Sequence, residues 1–436
     1  MAIVRKTIEK VPAILAQPIV IPPYQRPYKW DARLVGQLLQ DLQNHQHKHA
    51  YRLGTVVFYR DTEDNPLEVV DGQQRLITLG LLNYFLEPAK TPEILRQTLP
   101  HTISQQNVKN NYQLIGQQLG TLGKDERFAL RQFIMEKCEL VIVELNDISE
   151  AFQFFDSQNA RGKELEPYDL LKAYHLREMA DTTEAERLKC VERWEKEVDS
   201  GRLKLVMDNY LYRIRRWLRG LPGREFIKAD VDLFKGITLA KTMDYPYLQP
   251  YRINDYFTRS YGGDSVRSVD HQKAHYPFQI NQIMINGLRF FEYVHHYIEL
   301  TKNIENHPPK ALASLNEMLN SYGGHNRTGD RYTRNLFNCL ILHYLDKFGS
   351  HELEKYIRQA FAWAYSMRLT QFAVKLATMD KKALEQGNLF KAVDQAIYPS
   401  DLGRVVITPL KPSDIRGTHT EVLQKKLQEM GYLSHV

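Results

Sequence analysis

The spacing of apolar positions along the chain changes period several times, and each change marks an element. Gly54 to Tyr59 and Leu67 to Val70 are short β-branched runs separated by the polar, turn-forming stretch Asp61 to Pro66, which predicts a pair of strands. Leu76 to Leu86 is mostly leucine and other apolar residues with no proline, the pattern of a buried helix. Asp31 to Leu42 predicts an earlier helix, and Pro88 to Pro100 a proline-marked connection. From there to Lys137 the chain reads as polar helix. Glu139 to Leu145 then breaks in as a strand expected to return to the first sheet, beside the turn that follows Val70.

Beyond Asp181 helical spacing takes over. Thr183 and Glu186 form a capping box, and Ala185, Leu188, Val191, Trp194 and Val198 fall on one stripe. Amphipathic stretches follow at Leu203 to Arg219, Ile280 to Leu300, Tyr332 to Phe348, Leu353 to Ser366 and Leu384 to Ile397. Tyr245 to Gly263, aromatic and proline-marked, reads as a loop or boundary, and Ser321 to Asp330 as a glycine-rich connection. The tail carries a strand-like Val405 to Thr408 and a final polar helix ending at Gly431. The pattern predicts an α+β chain: a small mixed α/β domain over residues 1–180, a large mostly helical domain over 181–402, and a tail over 403–436.

Composition adds limits. The 436 residues suffice for two or three domains, and 43% hydrophobic with 25% charged residues is ordinary for a globular protein. No run approaches a membrane span, and the N-terminus lacks the apolar core of a signal peptide, so a cytoplasmic location is expected. Cys138, Cys190 and Cys339 are far apart and odd in number, which suits reduced thiols better than a disulfide framework. A net charge of +6 permits nucleic-acid contact without requiring it.

The chemistry concentrates where the second strand meets the buried helix, at Asp71-Gly72-Gln73-Gln74-Arg75. Free N–H groups and the positive end of the helix dipole favour an anion there. Gly72 lets a ligand approach the backbone, Arg75 suits phosphate, and Asp71 suits a metal ion or an attacking water. Read alone, the same five residues also fit an ordinary Asp-Gly turn followed by solvated polar side chains. Two further segments share the character. Ile21 to Trp30 is stiffened by three prolines and sets Tyr24, Gln25 and Arg26 among aromatics. Phe152 to Leu165 contains Asn159-Ala160-Arg161-Gly162 and leads into a helix opened by Pro167 that runs through Asp169-Leu170-Leu171-Lys172.

In that order, the three segments resemble the N-terminal domain of the GmrSD-type restriction endonucleases, with its Pro-x-Tyr-Gln-Arg-x-Tyr-x-Trp start, Asp-Gly-Gln-Gln-Arg core and Asn-x-Arg-Gly-x-x-Leu segment before an Asp-Leu-Leu-Lys helix. The resemblance covers roughly the first 180 residues. It implies a ParB/sulfiredoxin-like fold that binds a nucleoside triphosphate with Mg²⁺, hydrolyses it, and couples this to attack on modified phage DNA. With that context Arg75 and Gly72 are expected at the phosphates, with Tyr24, Gln25, Arg26, Asn159 and Arg161 in support. Asp71 is expected to hold the metal or water, with Gln73 and Gln74 orienting the attacking water. For Tyr28 and Trp30, simple packing competes with a functional role.

Other candidates weigh less. Asp169 and Lys172, three apart on one helix, suggest a structural ion pair. His45, His47 and His49 alternate and do not share a helical face, and His271 and His275 lie in loop-like sequence. Arg213, Arg216 and Arg219 recur every third residue as a basic stripe, either a solvated face or a grip on DNA phosphates. Nuclease-bearing members of the resembled family carry a C-terminal HNH module, and no convincing His-x-x-Pro start occurs here. The leading reading is a nucleotide-hydrolysing sensor or switch subunit of an anti-phage restriction system, working with a nuclease-bearing partner protein. The alternative is a non-catalytic DNA-binding adaptor using the arginine stripe. A third, a cryptic nuclease, has no identifiable carboxylates.

Overall fold

The computed structural model describes residues 3–22, 25, 27–99, 101–147, 166–179, 182–239, 245–263 and 275–434. The chain divides into two compact units, Met1–Leu176 with Asp181–Glu195, and Arg177–Ala180 with Lys196–Val436. The first is a small mixed α/β unit and the second is mostly helical, the α+β class expected from the pattern.

The first unit is built on a five-stranded sheet in the order β1-β5-β3-β4-β2. β1 (Ile3–Lys10) and β2 (Ile19–Val20), joined through α1 (Val11–Leu15), hold the two edges. β3 (Tyr51–Tyr59) and β4 (Leu67–Asp71) form the expected antiparallel pair, with Phe58 opposite Val69. β5 (Cys138–Leu145) runs parallel to β3 and antiparallel to β1. The expectation that β5 lies beside the turn after β4 is therefore corrected, because β3 stands between them. β1 escaped the hydropathy pattern because its Lys, Arg and Glu residues leave Val4 and Ile8 exposed, as suits a charged edge strand.

The helices of this unit follow their patterns. Asp31 caps α2 (Ala32–Asn44) by accepting from the Leu34 N–H at 3.0 Å, and Val35, Leu39 and Leu42 are buried. α3 (Gln73–Leu86) is buried continuously from Leu76 to Leu82, which explains the absence of a polar stripe in its sequence. α4 (Glu93–Arg96), α5 (Thr102–Gly120) and α6 (Lys124–Glu136) precede β5. Val56, Phe58, Val69, Leu76, Leu79 and Ile142 belong to one apolar core. α7 (Pro167–Arg177) and α8 (Glu184–Asp199) follow. The capping box at the start of α8 is present, with Glu186 accepting from the Thr183 N–H at 2.9 Å and Thr183 from the Glu186 N–H at 3.3 Å.

In the second unit, α9 (Arg202–Val206) passes through a π turn (Met207–Leu211) into α10 (Tyr212–Leu218). Tyr245 to Gly263 is not a loop: after a short 3₁₀ turn at Pro246–Leu248 it forms α11 (Gln249–Gly263). Its prolines sit at the starts of these turns, where a missing N–H costs nothing. α12 (Leu288–Asn306), α13 (Lys310–Leu319), α14 (Thr328–Phe348), α15 (Leu353–Thr370), α16 (Leu376–Leu384) and α17 (Leu389–Gln395) complete the body. α14 packs along α15, and also against the π turn and α17. Val405 to Thr408 forms no strand, and Val406 is exposed. The tail's β contact is instead one bridge from Leu410 to Leu433, and α18 (Glu421–Glu429) packs on α15. Cys138, Cys190 and Cys339 are free thiols. No helix among the described residues is long and apolar enough to cross a membrane.

Candidate functional site

The turn from β4 into α3 brings the first two motifs together. Asp71 closes β4 opposite Val57, and Gly72 follows with φ at 93°, a left-handed conformation that favours glycine. A Cβ on Gly72 would lie 2.8 Å from a Val56 methyl, so close packing requires glycine as well. Gly72, the N-cap of α3, has no side chain to cap the helix, and the Leu76 N–H closes an intrahelical bond to the Gly72 carbonyl at 2.9 Å. The start of α3 therefore keeps the anion-favouring character expected of it.

Arg75 folds back toward β3. Its Nη1 donates to the Thr55 carbonyl at 3.0 Å, and its guanidinium passes 3.1 Å from where a Gly54 Cβ would stand. Gly54, at φ 116°, occupies an irregularity in the β3–β5 ladder, and that irregularity makes the room. Burial pulls the Arg75 pKa below its ordinary value, while the nearby Asp71 carboxylate pushes it back up. Among the described residues no ion pair holds Arg75, and the bond to Thr55 uses one of its five N–H donors. It remains half-buried, a desolvated cation with capacity for an oxyanion.

The glutamines divide. Gln73 is buried. Gln74 Oε1 accepts from the Lys29 and Trp30 N–H groups at 2.7 and 3.1 Å, and Nε2 donates to the Pro27 carbonyl at 3.1 Å. With its amide engaged on the Pro27–Trp30 backbone, Gln74 is a positioning residue here and not the water-orienting group expected from sequence. Gln25 likewise donates to the Val69 and Val70 carbonyls at 2.9 and 2.8 Å, docking the proline-rich segment on the end of β4.

Tyr28 resolves to packing. It is fully buried, its hydroxyl lies 2.7 Å from Thr78 Oγ1 and accepts from Asn111 Nδ2 at 3.0 Å, and its backbone N–H donates to Ser104 Oγ at 2.9 Å. Burial raises its pKa, and the Thr78 and Asn111 bonds oppose the rise. Asn107 adds a bond to the Tyr28 carbonyl at 2.9 Å, and Asn111 one to the Trp30 carbonyl at 2.7 Å. Ser104, Asn107 and Asn111 are the site residues that sequence reading missed. Their i, i+3, i+7 spacing on α5 was the available signal, a polar stripe on a face that becomes buried. Replacing Tyr28 by phenylalanine removes two buried side-chain bonds while keeping the ring. A loss of about 1–2 kcal/mol in urea unfolding is expected, with ligand binding at Arg75 intact.

Tyr24, Arg26, Asn159 and Arg161, with the rest of Phe152 to Leu165 and His271, lie outside the described residues. The helix after the third motif is described. Lys172 Nζ pairs with Glu195 at 2.6 Å, and Asp169 accepts from the Glu166 N–H at 3.0 Å, so these two side chains have other partners than the mutual pair expected. Burial raises the Asp169 pKa, against the lowering effect of Lys172.

The arginine stripe is not an open face. Arg213 is buried and donates to Asn335, and Arg215 is buried with bonds to the Ile280, Gln282 and Leu233 carbonyls at 2.6, 3.0 and 3.0 Å. Arg216 Nε donates to the Pro222 carbonyl at 2.8 Å and pairs with Asp230 at 3.6 Å. Arg219 alone of Arg213, Arg216 and Arg219 is exposed. His45 stacks on Tyr51 at 4.7 Å between ring centres. Glu197, His295 and Glu299 converge, but Lys302 Nζ sits 2.8 and 3.0 Å from the two carboxylates and supplies their counter-charge.

Residues 6–176 match the model of the GmrSD restriction endonuclease N-terminal domain, the span that contains the sheet and the Asp71–Arg75 turn. This unit is a GmrSD N-terminal domain. Residues 186–421 match the model of a family of unknown function, DUF7834, and the chain belongs to that family. No curated protein matches the chain.

Proposed function

We propose that the chain is a nucleotide-binding sensor or switch subunit of a restriction system, with Mg²⁺ and a nucleoside triphosphate at the β4–α3 turn. The observation that carries this is Arg75: a half-buried guanidinium without an ion pair among the described residues, set against Asp71 and next to an uncapped helix start. The Asp71 carboxylate offsets only part of the desolvation of Arg75, and a phosphate would supply further counter-charge. Asp71, at the strand end, would hold Mg²⁺, which commonly takes one or two carboxylates together with substrate phosphates. The metal would neutralise phosphate charge. Gln73 remains for placing a water, while Gln25 and Gln74 hold the turn in shape.

The restriction role follows the GmrSD N-terminal domain, and cleavage would fall to a nuclease-bearing partner. Support for a partner comes from α11, whose Ile253 and Tyr256 are exposed, and from Tyr245 and Tyr247, which stack at 5.9 Å and are half exposed. Such a patch suits a protein surface. The DNA-adaptor reading loses most of its basis, since Arg213 is occupied inside the fold and Arg216 is partly so.

Titration of the full chain with each of the four ribonucleoside triphosphates and Mg²⁺, read by calorimetry and phosphate release, tests the proposal. Binding weakened at least tenfold in Asp71→Ala and Arg75→Ala, but retained in Tyr28→Phe, is expected. Absence of binding and turnover with all four triphosphates would overturn it.

A further inference from the structure

The helical unit contains a second cleft, unrelated to the β4–α3 turn, between α12, α13, α14 and the π turn. Tyr210, Asn316, Arg334 and Asn338 supply its polar lining, with Leu312 and Ile341 among its apolar walls. Its volume is about 70 Å³. At roughly 10–15 Å³ per water by the same measure, it takes roughly five waters, or a head group the size of a phosphate or a carboxylate.

Its charge balance is uneven. Arg334 Nη2 donates to Asn316 Oδ1 at 2.5 Å, and its guanidinium lies 5.9 Å from the Phe337 ring centre. Arg334 Nη1 is buried and has no hydrogen-bond acceptor among the described residues. The Tyr365 hydroxyl is nearby: burial raises its pKa, and both the charge of Arg334 and a hydrogen bond from it oppose the rise. No carboxylate among the described residues pairs with Arg334. Glu305 lines the cleft too, but Arg202 holds both of its oxygens, at 2.8 and 2.5 Å. Tyr210 comes from the π turn, a distortion that recurs at functional sites, and among the described residues its hydroxyl has only a long 3.5 Å contact from Asn338 Nδ2. An arginine with donor capacity, two amides and a loosely held hydroxyl around a phosphate-sized space describe an oxyanion site.

We infer that this cleft binds a small ligand through an oxyanion, carboxylate or phosphoryl, seated on Arg334 between Asn316 and Asn338, with its apolar portion over Leu312 and Ile341. The test is calorimetry on the full chain with inorganic phosphate, phenyl phosphate and isobutyrate, using sodium chloride to hold ionic strength. At least one probe saturates at one site per chain, and whether it is a phosphate or the carboxylate fixes the ligand class. Arg334→Gln weakens that binding at least tenfold. Arg331→Gln, an exposed position on the same helix, leaves it unchanged. Ile304→Trp fills the cleft with the arginine intact and also abolishes binding, which covers the case in which Arg334→Gln fails to fold. Saturation by none of the probes, binding unaffected by Arg334→Gln and Ile304→Trp, or binding lost only in Arg75→Gln would overturn the inference.

Discussion

Asp330→Ala destabilises the helical unit by about 3–5 kcal/mol, the largest effect expected of a single substitution here. Asp330 is 2% exposed and accepts from the Tyr322 hydroxyl at 2.5 Å, from Arg327 Nε at 2.9 Å and from Arg368 Nε at 3.0 Å. Arg368 is itself 3% exposed, and its other bonds among the described residues go to the Gln371 and Thr418 carbonyls at 3.2 Å each, neither of which carries charge. Removing the carboxylate leaves that guanidinium buried without a counter-ion. Asp330→Asn keeps the shape and part of the bonding, so it falls between wild type and alanine. Urea unfolding followed by far-UV circular dichroism reads the series. A loss below about 1 kcal/mol in Asp330→Ala would show that water or rearrangement replaces the pair.

The second prediction concerns acid. His343 on α14 is 3% exposed and stacks near Phe390 at 6.2 Å, and burial lowers its pKa from 6.5 to about 4. The folded state thus resists a proton that the unfolded chain accepts. Between pH about 6.5 and about 4 the unfolded state binds more protons, so stability is present above this window and is lost as pH falls through it. The shift corresponds to a change on the order of 3 kcal/mol. Asp346, three residues on, acts in the opposite sense. Burial raises its pKa to about 6, so the folded state holds its proton longer and stability declines as pH rises toward that value. The two slopes partly offset in the wild type. Comparing wild type with His343→Leu isolates the histidine: the stability difference between them changes by about that amount from pH 7 to pH 4, in favour of the leucine variant at low pH. A difference that does not vary with pH removes the argument.

Sequence carried much of the fold because the decisive patterns were local. The strand pair around Asp61 to Pro66, the unbroken apolar run of α3 and the Thr183–Glu186 box each state their structure within about twenty residues. Distant partners were what sequence could not supply. β1 looks polar in isolation and becomes a strand by pairing with β5, more than a hundred residues away. Arg213 reads as surface charge because the amide that holds it belongs to Asn335, and its neighbour Arg215 is likewise held by the distant carbonyls of Leu233, Ile280 and Gln282. The π turn before α10 also displaces the face that a regular helix would project. At the candidate site, the roles of Asp71 and Arg75 remain as the motif suggested, as proposals. Gln74 could not be assigned without knowing that the Pro27–Trp30 backbone lies against it.

The sheet's order also sets a timetable for synthesis. β1 is the first strand of the sheet to leave the ribosome, and its partner β5 is the last. At ordinary translation speeds the wait is on the order of ten seconds, far longer than a hairpin needs to form. Meanwhile β3 and β4 can pair at once, but the β3 edge reserved for β5 stays uncovered until residue 145 is made. The nascent chain thus carries an open template for strand addition through about half of the domain's translation, and the charged side chains of β1 keep that strand soluble while it waits.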